Sequence, residues 1–254
     1  VEGLELIDGG GVARLTSGVR AAAALWSPQS GIMDTEALMN LSLHAAENNG
    51  ALVVCAAEVQ RVEPQAGGYR LWLSSGEEAV SARCVVNAAG LSADRVAAMA
   101  GLDIDALGYR LSWFKGEYFS LKRVLPPRCL VYPLPDAHGL GIHLTLDLQG
   151  RQRLGPNAFE VDRLDYTVDS AHAPQFFAAA ASYLPDLRAD DLAPGTSGIR
   201  AKLSEDGAFR DFIIKEESAL GLPGWVNLIG IESPGLTASL AIADFVGDLL
   251  EWPT

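Results

Sequence analysis

The stretch Val85-Val86-Asn87-Ala88-Ala89-Gly90 decides the fold. The two valines predict a short buried strand, and the small residues that follow predict a turn at its carboxyl end. A helix around 92–100 comes next, which is typical of one strand–turn–helix step in a parallel sheet. Ligands of such sheets bind at the carboxyl edge, where small side chains leave the backbone accessible, so the turn is a candidate ligand site. A plain strand–helix junction is the alternative for this motif alone.

The segments around this stretch carry similar α/β patterns. Asp34 predicts the N-cap of a helix that ends near Asn48, with an apolar face, and a short apolar strand follows over 51–55. Short strands separated by turn signals over 58–82 predict a β-meander. A strand over 225–231 and a helix to about residue 250 close the chain. Residues 1–33 are predicted to be loop-rich, with Gly9-Gly10-Gly11 as a break.

Between 107 and 154 the pattern changes to extended segments. Over 141–147, apolar residues alternate strictly with His143, Thr145 and Asp147, which predicts a strand with one wet face in an antiparallel sheet. Further strands are predicted over 110–114, 117–121 and 129–132, and a helix over 174–184. The sequence therefore predicts a mixed α/β (α+β) chain in which an antiparallel insertion interrupts an α/β domain.

Composition and cysteine usage exclude several classes of protein. The chain has 254 residues with 19 basic and 32 acidic side chains, a net charge of −13, which argues against a nucleic-acid partner. No apolar run approaches the roughly 18 residues of a transmembrane segment. Cys55, Cys84 and Cys129 form no metal-binding or disulfide pattern, so we expect no metal. Cys55 and Cys84 are predicted to be buried strand residues, as in a protein of the reducing cytoplasm.

A second glycine-bearing signal lies at 230–237, directly before the last helix. A helix N-terminus offers unpaired N–H groups and partial positive charge, which suit an anion or an electron-rich carbonyl group. Capping of the helix by Thr237 is the alternative.

Together these motifs resemble a known family. The pairing of Val-Val-Asn-Ala-Ala-Gly with Gly-Ile-Glu-Ser-Pro-Gly-Leu-Thr-Ala-Ser-Leu-Ala-Ile-Ala (230–243) resembles the FAD-dependent D-amino-acid-oxidase-like (DAO) superfamily. The segments 27–34, 115–119, 141–145 and 197–200 are most similar to its L-2-hydroxyglutarate dehydrogenase/oxidase branch. The resemblance implies a discontinuous, partial FAD-binding Rossmann-like domain with an inserted antiparallel-sheet substrate domain. The implied boundaries are 1–33 (substrate-domain segment), 34–103 (FAD domain), 104–195 (substrate domain) and 196–254 (FAD domain).

The resemblance also implies an activity. The protein is expected to oxidise a small 2-hydroxy acid, with L-2-hydroxyglutarate as the expected substrate, by hydride transfer to N5 of FAD. The family's opening strand–Gly-x-Gly-x-x-Gly–helix unit is not in this sequence, so we expect a C-terminal portion of a longer protein. The alternatives are a glycine- or sarcosine-oxidase-like amine oxidase and a non-catalytic chain without the dinucleotide lobe. Oxygen, a quinone or a protein remain open as electron acceptors, and the expected location is cytoplasmic or peripheral to a membrane.

Residue roles follow from the resemblance in the same way. Val59, next to Glu58, matches the adenine contact, and Arg200 matches the clamp on the substrate carboxylate, to which a guanidinium binds bidentately. The residues expected along the pyrophosphate and the isoalloxazine ring are Ala88, Ala89, Gly90, Gly230, Ile231, Ser233, Pro234, Gly235, Leu236 and Thr237.

Other candidates come from the chemistry of single residues. His143 on the wet face suits the base that removes the hydroxyl proton, with a hydrogen-bonded sheet histidine as the alternative. The second carboxylate of the substrate is expected to bind Tyr118 and Lys115, which lie on a candidate neighbouring strand. The alternatives are packing in the sheet for Tyr118 and a solvated side chain for Lys115. The cations expected to offset the net charge near the site are Arg110, Lys115, Arg200 and Lys202. The other histidines, His44, His138 and His172, are predicted to be surface or loop residues.

Overall fold

The computed structural model describes residues 2–76, 78–134, 141–203 and 210–252. Its helices are α1 (Gly9–Leu15), α2 (Thr35–Asn48), α3 (Ala93–Met99), α4 (Ala173–Ala181) and α5 (Ser239–Leu249). Its strands are β1 (Glu5–Asp8), β2 (Ala23–Trp26), β3 (Val59–Gln65), β4 (Gly68–Leu73), β5 (Val80–Ala82), β6 (Val85–Asn87), β7 (Ser112–Leu121), β8 (His143–Leu146), β9 (Gln152–Gly155), β10 (Phe159–Val161), β11 (Leu192–Lys202), β12 (Ile213–Glu217) and β13 (Leu222–Ile229).

The chain forms two units, each assembled from three segments. The first unit comprises 1–52, 115–159 and 164–198, and the second comprises 53–114, 160–163 and 199–254. Helices, several antiparallel sheets and one parallel strand pair occur together, so the predicted mixed α/β class is confirmed. Within the described residues, no helix has the length and apolar character needed to cross a membrane.

The first unit is built on an antiparallel sheet with two different faces. β9 pairs with both β7 and β8, and β10 and β11 also pair with β7. The register places Phe119, Leu154 and Leu144 side by side, all fully buried. The ring of Phe176 on α4 packs 4.6 Å from that of Phe119. The opposite face carries His143 and Thr145, so the predicted wet face is confirmed.

The second unit combines the predicted meander with a parallel strand pair. β3, β4 and β5 form an antiparallel sheet in chain order, which confirms the meander. In the other sheet β13 pairs with β12 antiparallel and with β6 parallel. Trp225 on β13 and Tyr69 on β4 anchor the core, with ring centroids 5.2 Å apart.

The first 33 residues are more regular than predicted. β1 and β2 pair antiparallel, and the glycine run that was predicted to be a break opens α1 instead. The cause is Asp8, whose carboxylate accepts the N–H of Gly11 at 2.7 Å and so caps the helix. A cap therefore overcomes the low helix propensity of three glycines.

The predicted strand over 51–55 is wrong, because those residues form no strand. No strand in the described part of the chain pairs with them, and the side chains of Leu52, Val53 and Val54 are 91%, 52% and 64% exposed. Cys55 is accordingly exposed, and Cys84 lies half-buried just before β6, so the prediction of two buried strand cysteines is also wrong. α2 forms as predicted, with Asp34 as N-cap, but none of its residues is buried.

Candidate active site

The two glycine-bearing stretches leave neighbouring parallel strands of the second unit. β6 and β13 run in register, with Asn87 opposite Asn227. Ala88, Ala89 and Gly90 follow β6 directly, and the segment 230–237 follows β13, so both stretches begin at the carboxyl edge of the same sheet. This is the edge at which open α/β sheets bind their ligands.

Three glycines fix the backbone of these stretches. Gly90 has a φ of +55°, and a Cβ there would meet open space, so the exposed turn leaves room for an approaching group. Gly230 has a φ of +72°, and a Cβ would lie 2.6 Å from the Leu203 side chain. At Gly235 a Cβ would lie 2.4 Å from Cγ2 of Ile231. A side chain is therefore sterically excluded at both positions of the second stretch.

The segment between β13 and α5 ends in turns rather than in a capped helix. Residues 233–238 form turns, the N–H of Ala238 donates to the Pro234 carbonyl oxygen at 3.0 Å, and α5 begins at Ser239. The N-cap is Ala238, with no side-chain cap, so the alternative in which Thr237 caps the helix is wrong. The first N–H groups of α5 therefore keep no side-chain acceptor.

Asn87 organises the turn after β6. Its Nδ2 donates to the carbonyl oxygen of Ala93 at 2.7 Å and to Oδ1 of Asn227 at 2.9 Å, and its Oδ1 accepts from the N–H of Ala89 at 3.4 Å. The side chain thus joins the turn, the start of α3 and the neighbouring strand. Sequence reasoning treated Asn87 only as part of a motif, although a polar residue that ends a buried strand signals such a role.

The polar network continues into the core. Asn227 donates from Nδ2 to Oε1 of Glu217 at 3.0 Å, and Tyr109 donates its hydroxyl to the same oxygen at 2.6 Å. Glu217 is fully buried, and the Lys215 ammonium lies 3.3 Å from its Oε2. Burial, together with the hydrogen bond to Glu217, raises the pKa of the Tyr109 phenol far above its usual range. Tyr109 and Glu217 were missed by the sequence analysis because nothing local marks them.

Arg200 differs from the other cations predicted for the site. Arg110 is paired with Asp105, Lys115 with Glu117, and Lys202 with Glu232 at 3.6 Å. Arg200 is half-buried, and its guanidinium makes no hydrogen bond or ion pair within the described ranges. The predicted carboxylate contact of Arg200 stays a prediction, for which a guanidinium has the bidentate donors.

The predicted adenine contact lies at the start of the meander. Val59 is the first residue of β3 and pairs with Leu73. The N–H of Glu58 donates to Oγ of Ser74, and its carbonyl oxygen accepts from the N–H of Ser74. Both backbone groups of Glu58 are therefore used within the fold, and the adenine contact of Val59 stays a prediction.

In the first unit, five side chains lie together on the wet face of the sheet: Tyr118, Tyr132, His143, Thr145 and Arg153. We call them the wet-face cluster. Tyr132 packs edge-on against His143 at 4.3 Å between ring centroids, and the Arg153 guanidinium lies 4.8 Å from the centre of the Tyr118 ring. Partial burial and the nearby phenol of Tyr118 raise the pKa of Tyr132. The sequence analysis missed Arg153, although the alternation of β9 would have placed it on this face.

Lys115 does not lie where it was predicted to act. β9 lies between β7 and β8, so β7 is not the neighbour of the His143 strand, and Lys115 projects to the face opposite Tyr118. Its ammonium is buried, donates to the Thr167 carbonyl oxygen and lies 3.5 Å from Oε1 of Glu117. Neither the predicted carboxylate contact nor the alternative of a solvated lysine fits this position.

Glu117 is the centre of a buried polar group that the sequence analysis missed. Its Oε2 bonds to Nδ1 of His172 at 2.6 Å, and its Oε1 accepts the N–H of Asp169 at 3.2 Å. Burial alone would raise the pKa of Glu117, but these bonds and one from Asn157 outweigh it and lower the pKa. His172 is thus more than a loop residue.

The remaining histidines and the acidic side chains form no further site in the described ranges. His44 is exposed on α2, as predicted, whereas His138 lies outside the described residues. Among the residues that the structure describes, no group of histidine, cysteine, aspartate and glutamate side chains has a geometry that can hold a metal ion.

Comparison with known proteins assigns the family. The model of the FAD-dependent oxidoreductase (DAO) family matches residues 1–249. The chain belongs to this family. The family is described by its cofactor, FAD, and its reaction class, oxidoreduction, which confirms the predicted resemblance to FAD-dependent oxidoreductases of the DAO type. The L-2-hydroxyglutarate dehydrogenase of Arabidopsis thaliana is 34% identical, covering 98% of this chain and 60% of the plant protein. The glycerol 3-phosphate dehydrogenase of Caloramator mitchellensis is 28% identical, and the match covers 90% of this chain and 46% of the Caloramator protein.

A solved structure supports the fold of this family member. The L-alpha-glycerophosphate oxidase of Mycoplasma pneumoniae, with FAD bound, superposes with a TM-score of 0.85 over 100% of this chain and 66% of its own, at 24% identity. The chain thus spans about 60% of the plant relative and about two thirds of the oxidase.

Proposed function

We propose that the protein containing this chain is an FAD-dependent dehydrogenase or oxidase of a small 2-hydroxy acid, L-2-hydroxyglutarate. The observation that carries the proposal is the 34% identity to an L-2-hydroxyglutarate dehydrogenase over 98% of the chain. The carboxyl edge of β6 and β13 supports it, because its small residues and conformationally restricted glycines suit a flat cofactor close to the backbone.

The residues of the second unit fit the cofactor. The exposed backbone of 88–90 would hold the pyrophosphate, and the segment 230–237 would lie along the isoalloxazine ring. The N-terminus of α5, which has no side-chain cap, adds partial positive charge. FAD, when bound, accepts a hydride at its flavin ring. The contact of Val59 with the adenine belongs to the same proposal.

Two side chains act on the substrate. Arg200 binds the carboxylate next to the hydroxyl group, since its guanidinium has no partner among the described residues. His143 accepts the hydroxyl proton at a ring nitrogen, and the ring of Tyr132 at 4.3 Å restricts the orientation of the imidazole. Tyr118 contributes its phenol on the same wet face. The three free cysteines favour a reducing compartment such as the cytoplasm.

The test is anaerobic reduction of the full-length protein. L-2-hydroxyglutarate is expected to bleach the flavin absorbance near about 450 nm, while the D-enantiomer, glycine, sarcosine and glycerol 3-phosphate leave it unchanged. Bleaching by glycine or sarcosine instead would establish the amine-oxidase alternative. A purified full-length protein without a flavin spectrum would favour a non-catalytic chain. Oxygen uptake measured beside reduction of a quinone analogue identifies the acceptor.

Variants test the two substrate roles. Arg200→Ala is expected to raise KM about 30-fold or more, as the loss of a partner from a desolvated charge pair costs ~2–5 kcal/mol. His143→Gln is expected to lower kcat strongly with a smaller effect on KM. His44→Gln, on the exposed helix α2, is the matched control. An unchanged KM in the first variant would remove Arg200 from the site, and normal turnover in the second would assign the proton to another group.

A further inference from the structure

The wet-face cluster contains a cation that the proposed function does not yet use. On β9, Gln152 and Leu154 point into the core, so Arg153 projects to the wet face beside Thr145. Its Nε donates to Oγ1 of Thr145 at 3.2 Å, and its guanidinium lies over the Tyr118 ring. These two contacts hold the guanidinium in place on the wet face.

Arg153 has no acidic partner within the described ranges, and its terminal nitrogens make no hydrogen bond there. Its neighbour Arg151 differs, because its Nε lies 2.5 Å from the carboxylate of Asp147. The chain carries a net charge of −13, so a guanidinium that lies beside no carboxylate of the described residues supplies local positive charge for an anionic ligand.

A cavity of about 340 Å³ opens on this part of the sheet, and Arg153, Thr145 and Tyr132 line it. Its other charged residues are engaged: Asp147 pairs with Arg151, and Asp34 accepts the N–H of Ala37 at the start of α2. Tyr132 also packs against His143, so the wall of the cavity continues to the proposed base. The volume is within the range of small-molecule sites.

We propose that Arg153 binds the distal carboxylate of a dicarboxylic 2-hydroxy acid and thereby selects it over monocarboxylic ones. The inference rests on the proposed function and deepens it. Lys115, predicted for this task, is buried on the other face with Glu117, whereas Arg153 lies on the face of His143 and Tyr118. A guanidinium fork suits a carboxylate because it donates two parallel hydrogen bonds.

The first test measures recognition without turnover. Glutarate carries both carboxylates but no hydroxyl group, so it binds the full-length protein without being oxidised. Calorimetry is expected to give tighter binding for glutarate than for butyrate, and Arg153→Gln is expected to weaken the glutarate complex at least about tenfold. Arg128→Gln removes the same charge from an exposed site outside the cavity, and this variant is expected to bind glutarate with unchanged affinity.

The second test uses turnover. In Arg153→Gln the KM for L-2-hydroxyglutarate is expected to rise at least about tenfold, while the KM for L-2-hydroxybutyrate, which lacks the distal carboxylate, changes less than about threefold. Arg153→Lys keeps the positive charge but lacks the forked guanidinium, so its KM for L-2-hydroxyglutarate is expected to lie between those of the wild type and Arg153→Gln. An equal rise in KM for both substrates in Arg153→Gln would overturn the inference. A wild type that binds glutarate no more tightly than butyrate would also overturn it.

These outcomes separate the two proposals. A wild type that oxidises L-2-hydroxyglutarate while Arg153→Gln retains its preference refutes only the role of Arg153. A wild type that oxidises no 2-hydroxy acid refutes the proposed function, and the glutarate titration then still decides whether Arg153 binds a dicarboxylate.

Discussion

Replacing Tyr109 with Phe isolates one hydrogen bond in the polar network behind the candidate cofactor turns. The substitution removes only the hydroxyl that donates to Oε1 of Glu217 at 2.6 Å, and the ring keeps its packing in the core. A hydrogen bond to a charged group contributes about 1.5–3 kcal/mol, and Oε1 keeps one other donor, Nδ2 of Asn227 at 3.0 Å. We therefore expect the free energy of unfolding to fall by about 2 kcal/mol.

The same core supplies a matched control. Tyr69 is equally buried, but its hydroxyl donates to a neutral acceptor, the carbonyl oxygen of Pro223, at 2.9 Å. Tyr69→Phe is expected to cost about 0.5–1.5 kcal/mol, since a neutral hydrogen bond is weaker. Tyr166→Phe, at an exposed site, is expected to change nothing measurable.

Urea unfolding followed by tryptophan fluorescence measures the difference. Trp225 is a suitable reporter, because its Nε1 donates to Oδ1 of Asn227 in the same network. With a slope of about 2 kcal/mol/M, the unfolding midpoint of Tyr109→Phe falls about 1 M below that of the wild type. A cost no larger than that of Tyr69→Phe would contradict the argument, because the bond to Glu217 would then contribute no more than a bond to a neutral acceptor. A double-mutant cycle with Glu217→Gln would measure the coupling directly.

Two further predictions concern other parts of the structure. Gly230→Ala is expected to destabilise the second unit by more than about 2 kcal/mol, because φ is +72° and the new methyl group would meet Leu203. The control Gly247→Ala, in α5, is expected to gain up to about 1 kcal/mol of stability. Thermal unfolding compares the two variants, and equal midpoints would contradict the steric argument. The lowered pKa of Glu117 stabilises the folded chain above pH 4.5, and this contribution is lost as the pH falls through the lowered value. Glu117→Gln is therefore expected to cost about 3–5 kcal/mol at pH 7 and to flatten the loss of stability below pH 5 in urea titrations, and an equally steep loss in the variant would refute this assignment.

Local patterns were enough to predict the edge of the sheet. The valines, the small residues after them and the glycines before α5 placed two turns beside each other, and β6 and β13 are indeed paired in parallel. The alternation around His143 likewise predicted that His143 and Thr145 share the wet face. Both features depend on residue spacing along one strand, which a sequence displays directly.

Contacts between distant segments could not be predicted in the same way. Nothing near Glu117 in sequence indicates that His172 bonds to it, 55 positions away, and nothing near Lys115 shows that its ammonium donates a hydrogen bond to the Thr167 carbonyl oxygen. The strand predicted over 51–55 failed for a related reason, because apolar content indicates a strand only where a partner strand exists. Pairing is a property of the whole fold, and one segment does not reveal it.

The exposed apolar segment Leu52–Val54 affects how the protein behaves at high concentration. Apolar side chains that are exposed to water, with no strand beside them among the described residues, favour association with similar segments of other molecules. Leu6 and Leu25, 82% and 63% exposed in the first unit, add to the same tendency. A high protein concentration therefore favours aggregation. The excess of acidic groups opposes it, because the molecules repel one another at neutral pH.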